Sequence, residues 1–130
     1  MSNNQEFRLD DFELYKIAGE FRKQIYKKIK RLPEEEKYAL SPQMRRAAIS
    51  VSNNIAEGHG RWNYQENIQF CRISRGSVEE VIDDLNICID ENYFPGFELE
   101  ELKAEAYKLI ERINGYIAYL RKQKERAKNQ

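Results

Sequence analysis

The sequence predicts an all-α protein, an antiparallel up-down-up-down four-helix bundle. Three observations carry this expectation. Apolar residues recur at steps of three and four along four separate segments. Three short breaks, each marked by proline or glycine, part the segments. No stretch alternates apolar and polar residues as a half-buried strand does. Short connections then set successive helices side by side and antiparallel.

The first helix is expected over about residues 10–32, with Leu14, Ala18, Phe21, Ile25, Ile29 and Leu32 as one stripe. Leu32-Pro33 closes it, because proline pushes the residue before it out of the helical region. The second helix, about 42–57, opens at Ser41-Pro42, a good cap followed by a proline suited to a first turn. Met44, Ala47, Ala48, Val51 and Ile55 form its stripe, and its two alanines let a neighbour come close. Gly58 is expected to close it in the left-handed conformation. The third helix, about 63–92, starts from Asn63 with Glu66 three residues on, a variant of the capping box. Ile68, Cys71, Val78, Ile82, Leu85 and Ile89 follow a near-heptad spacing in which Arg75 takes an apolar slot. The fourth, about 97–125, carries Leu99, Leu102, Ala106, Leu109, Ile113, Tyr116 and Leu120, the cleanest heptad in the chain. Its tail, RKQKERAKNQ, loses the repeat and is expected to fray.

A length of 130 residues suits a single domain with a real core. Basic and acidic side chains number 22 each, so the net charge is zero, which argues against a surface that is basic all over. The polar N-terminus MSNNQEFRLDD has no apolar core of a leader, and no run nears the roughly 20 residues that span a bilayer. A cytoplasmic location is the expectation. Cys71 and Cys88 sit on one predicted helix, roughly 25 Å apart at 1.5 Å per residue, too far to bond to each other. Tyr15, Tyr26, Phe70, Tyr107 and Tyr119 flank the stripes. They widen the apolar face, either for self-association or as rings lying flat with wet hydroxyls.

The stretch NIAEGHGR, Asn54 to Arg61, holds the candidate chemistry. A glycine loop cradles phosphate when a strand precedes it. No strand precedes this one, so it reads as a helix–helix corner. Arg46, Ser50, Asn54, Glu57 and Arg61 share one helical face, where pairing between helices is the expected use. His59, the single histidine, supplies neither a di-iron set nor a catalytic triad and is expected on the surface of the turn. No catalytic residue, cofactor, metal ligand or small-molecule substrate is identified.

Charge is more informative. Arg22, Lys23, Lys27, Lys28, Lys30 and Arg31 make the end of the first helix basic, while Glu79, Glu80, Asp83, Asp84, Asp90 and Glu91 make the second half of the third acidic. Both lie at one end of such a bundle, where they pair within a subunit or between neighbours, or stay solvated. A second basic cluster, Arg121, Lys122, Lys124, Arg126 and Lys128, suits a helix C-terminus or a phosphate-contacting tail.

The stretch QMRRAAISVSNNIAEGHGRWNYQENIQFCRISRGSVEEV resembles the signature of the four helix bundle protein family. These are bacterial proteins related to those encoded by intervening sequences in 23S ribosomal RNA genes. The accessory protein of diversity-generating retroelements is similar. Gln43, Arg45, Arg46, Ala47, Ala48, Asn54 through Gly58, Gly60, Arg61, Gly76 and Ser77 carry the resemblance, which spans nearly the whole chain. It implies a bundle assembled as a ring-like homopentamer without enzymatic activity. In the retroelement branch the pentamer binds a reverse transcriptase and is strongly basic; this chain departs from that by its balanced charge.

The expected molecule is thus a non-enzymatic homo-oligomeric scaffold or accessory protein in a nucleoprotein setting, meeting a protein partner, RNA or both. The polyanion or partner contacts are assigned to Arg22, Lys23, Lys27, Lys28, Lys30, Arg31, Arg61, Arg121, Lys122, Lys124 and Arg126. Gln43, Arg45, Arg46, Asn54, Glu57, Gly58, Gly60, Gly76 and Ser77 are assigned structural roles. The other reading is a pure protein–protein assembly module without nucleic-acid affinity.

Overall fold

The computed structural model describes residues 8–129. The polar residues read above as lacking a leader lie largely outside that range. Four helices form, α1 (Glu13–Ile29), α2 (Leu40–His59), α3 (Tyr64–Asp90) and α4 (Gly96–Lys128), with short 3-10 turns at Leu9–Asp11 and Glu34–Glu36 and no strand among the described residues. They pack as an antiparallel bundle. α1 lies against α2 and α4, and α3 against the same two, so α1 and α3 face each other across the diagonal.

The predicted stripes form the core. Ala18, Ile25, Met44, Ala48, Val51, Ile68, Val78, Leu85, Leu99, Leu109 and Ile113 all lose almost all solvent contact. Burial of that apolar area is the main stabilising term. Phe94, from the turn before α4, plugs the end of the core where α1 finishes.

The element ends differ from expectation in informative ways. α1 stops at Ile29, before Pro33: Arg31 and Leu32 donate three residues back, to Lys28 and Ile29, in a tight turn. α2 begins before Ser41. Glu36, in the turn ahead, accepts from the Leu40 amide at 3.3 Å, which fills the capping role assigned to serine. At the other end, α2 runs through Gly58 to His59, and Gly60 has ordinary right-handed φ of −81°. Trp62 makes the left-handed turn instead, at φ 58°. A bulky residue there costs roughly 1 kcal/mol.

Asn63 caps α3 as expected, accepting from the Glu66 amide at 2.9 Å. α3 closes on Asn92 at φ 61°, with Tyr93 and Asn92 donating to Cys88 and Ile89. The slot given to Arg75 belongs to Ser74, which is fully buried and donates to the Val51 carbonyl at 2.7 Å. Arg75 reaches sideways to Asn114 at 2.6 Å. α4 continues as helix to Lys128, past the end near residue 125 that the loss of the repeat suggested. Cys71 and Cys88 are free and buried, and burial pushes their thiols up to about 12 and about 11.

Candidate interaction surfaces

The signature residues of α2 turn one side of that helix toward α3, and a polar seam runs between the two. Gln43 donates to the Asp84 Oδ1 at 2.7 Å. One helical turn along α2, Arg46 and Ser50 line a groove of about 400 Å³ with Ser77 and Glu80. Within it the Ser50 and Ser77 hydroxyls are 2.7 Å apart. Ser77 donates to the Ile73 carbonyl at 3.1 Å, and the Asn54 amide donates to Ser50 Oγ at 2.9 Å and to the Ser50 carbonyl at 2.8 Å. The proton order follows: Asn54 donates to Ser50, Ser50 to Ser77, and Ser77 to backbone. That order makes all of these bonds at once, and the seam ties α2 to α3.

Gly58 ends the seam. A Cβ there would lie 2.5 Å from Asn67 Oδ1 and 3.2 Å from the Asn67 carbonyl. The glycine is needed for close approach of α3, not for a left-handed cap. Asn67 is itself held, donating to the Tyr116 hydroxyl at 3.1 Å. Gly60 and Gly76 have open space or only loose backbone contact around them.

Asp84 is 1% exposed, and its second oxygen has no hydrogen-bond partner. Burial pushes its carboxyl up to about 6. The Gln43 hydrogen bond works against that, and the nearby charges of Asp83 and Glu80 add to it. Tyr93 donates to Glu36 at the same end of the bundle.

His59 is not a surface turn residue, as the sequence suggested. It is the last residue of α2, half-buried, and stacks on Phe12 with ring centroids 5.3 Å apart. Glu57 and Arg61 pair along their own helix end at 3.3 Å, both about half exposed, and Arg61 also covers the Phe70 ring. Arg45 covers Tyr26 in the same way. Tyr15 and Tyr26 pack on the core, whereas Tyr107 and Tyr119 stay half exposed.

The predicted basic residues are not brought together. The α1 group and the α4 group lie at opposite ends of the bundle. At the first end, Arg22 donates to Ser52 at 3.0 Å and Lys23 pairs with Glu20 at 3.1 Å. Lys28 and Arg31 converge on Glu98 of α4 at 3.9 and 3.0 Å. The acidic half of α3 is not their partner within the subunit, because α3 lies across the diagonal. Lys27 and Lys30 are exposed and form no ion pair with a described residue. At the other end, Lys124 donates to Gln65 at 2.7 Å and Lys128 pairs with Glu125, leaving Arg121, Lys122 and Arg126 exposed on a regular helix.

Sequence reasoning missed some exposed apolar residues. Tyr38 is 88% and Phe97 79% exposed, both at the end where α1 finishes. Ile49 and Ile73 emerge on the outer faces of α2 and α3. Ile49, Ile73 and Phe97 fall outside the core repeats of their segments, the signal that would have found them, and Tyr38 lies in the break between two segments. Among the described residues no group of His, Cys, Asp and Glu is placed to hold a metal ion, and no helix is long and apolar enough to cross a membrane.

The family model described as 23S rRNA-intervening sequence protein matches residues 10–115. The chain belongs to that family. The match takes in all of α1, α2 and α3 and most of α4, and so every residue of the seam. Among solved structures, the chain is similar to a protein of unknown function from the S23 ribosomal protein family of Bacteroides thetaiotaomicron VPI-5482. The TM-score is 0.74 at 20% identity, covering 80% of this chain and 97% of the other. At that identity the likeness speaks to fold alone, a helical bundle. No curated protein matches the chain.

Proposed function

We propose that this member of the 23S rRNA-intervening sequence protein family is a non-enzymatic, homo-oligomeric interaction module that acts as a scaffold in a nucleoprotein setting. The observation that carries this reading is the fate of the signature side chains. Gln43, Ser50, Asn54 and Ser77 are bonded to one another and to α3, so what the protein offers to others is its outer surface of exposed charge and scattered apolar residues. Exposed rings such as Tyr38 and Phe97 are available for contact at the end where α1 finishes. The family resemblance points to a ring of five, and we place its work in the cytoplasm, without cofactor or small-molecule substrate.

RNA contact is the second reading, favoured by Arg121, Lys122 and Arg126 on the ordered end of α4. Repetition around an oligomer would multiply a patch that is weak in one copy. Binding to a structured RNA across a salt series tests it. A steep fall in affinity with salt is expected if these cations meet phosphate. No binding at low salt, with the oligomer intact, leaves a pure protein–protein module.

A further inference from the structure

The exposed charge is sorted along the chain. Between Glu20 and Glu34 there are six bases and no acid; between Arg75 and Lys103 there are nine acids and no base. The fold converts this into two flanks. The basic run occupies the second half of α1 and the turn after it, and the acidic run begins in the second half of α3. Gln43 bonding to Asp84 and Arg31 bonding to Glu98 show that both halves lie at the same end of the bundle. Because α1 and α3 are diagonal, the flanks point away from each other. Glu79, Glu80, Asp83, Asp90 and Glu91 are exposed, and none pairs with a cation among the described residues. On α1, Lys27 and Lys30 are equally unmatched.

We infer that the basic α1 flank of one copy docks on the acidic α3 flank of the next, so that copies join head to tail with their axes side by side. This rests on the self-association reading and specifies its surfaces. Equal height along the bundle lets the two flanks meet without a shift between copies. Ile73 lies seven residues before Glu80, on the same helical face, and supplies apolar contact beside the charges. Gly76, exposed between them, keeps the surface low enough for a neighbouring helix. Flanks on opposite sides cannot both be satisfied in a two-fold dimer. The contact is heterologous and closes into a ring or continues as a filament.

Charge reversal tests the pairing. One variant carries Lys23→Glu, Lys27→Glu and Lys30→Glu; another carries Glu79→Lys, Glu80→Lys and Asp83→Lys; a third carries all six. Each triple variant should weaken association at least about tenfold, since like charges then face each other, and the sixfold variant should return to within about threefold of the natural chain. Light scattering of the full chain reads the mass, and circular dichroism confirms folding. A sixfold variant as dissociated as the triples overturns the pairing, as does a natural chain that stops at a dimer. Should a variant misfold, the natural oligomer decides: indifference to salt from about 50 mM to about 1 M contradicts a charge-led contact. A natural chain that is monomeric defeats the self-association reading itself. An oligomer unmoved by either triple variant defeats only this assignment of surfaces.

Discussion

Gly58 and Asp84 show how much of the seam rests on single atoms. Gly58→Ala places a methyl against Asn67, whose side chain and carbonyl are both close. Asn67 is buried and hydrogen-bonded to Tyr116, so it yields poorly. The expected loss is about 1–3 kcal/mol, read as a lower midpoint in denaturant with the slope unchanged. Asp84 predicts a pH dependence. Its folded-state carboxyl, at about 6, holds a proton more tightly than an unfolded aspartate near 3.9. Its contribution is therefore fully present below pH 3.9 and is lost as pH rises through 6. Asp84→Asn should remove that part of the pH profile, roughly 1–3 kcal/mol between about pH 4 and pH 7. A variant whose profile parallels the natural one would show that Asp84 does not titrate in this window. Neither effect was legible in sequence. Gly58 read as a cap because glycine after an apolar stripe usually is one. Asp84 read as one acid among six, because its burial depends on where α2 lies.

At the scale of the elements, periodicity located all four helices and most of the core, because burial of one stripe is a local pattern; it missed Phe12, Leu40, Val81, Cys88, Phe94 and Ile117, and placed Tyr116 where Ile117 is the buried residue. Ends were legible only where the capping residue is a sequence neighbour in the usual register. Asn63 qualified, with Glu66 three residues away. The start of α2 did not, since its cap is supplied by Glu36 from the preceding turn. The Ser74 slot was hidden for a related reason: a serine enters the core only when a carbonyl such as that of Val51 waits there. The tail of α4 lacks the apolar repeat, yet its Lys, Gln, Glu, Arg and Ala favour helix strongly, and Lys124 is tied to Gln65. Backbone amides of residues 122–126 should consequently exchange with solvent more slowly than free peptide rates, by about tenfold or more. Exchange at free peptide rates would mean a frayed tail, and with it a mobile cluster of cations.

For the whole molecule, the arrangement of charge matters more than its sum. Zero net charge conceals a basic flank, an acidic flank and a third cluster at the far end. The sequence runs announced the segregation and left open whether the charges pair within a subunit, between neighbours, or stay solvated. The diagonal placement of α1 and α3 removes the first of these, sending Lys28 and Arg31 to Glu98. The acidic flank is left facing outward, where a neighbouring copy can meet it. The central claim is that this chain works as an assembly of copies. Its most direct test is the mass of the purified full chain by light scattering at low salt, after nuclease treatment. The expected mass is a discrete multiple of the 15.5 kDa chain greater than two, with five favoured by the family resemblance. A single species at 15.5 kDa across concentration would contradict it.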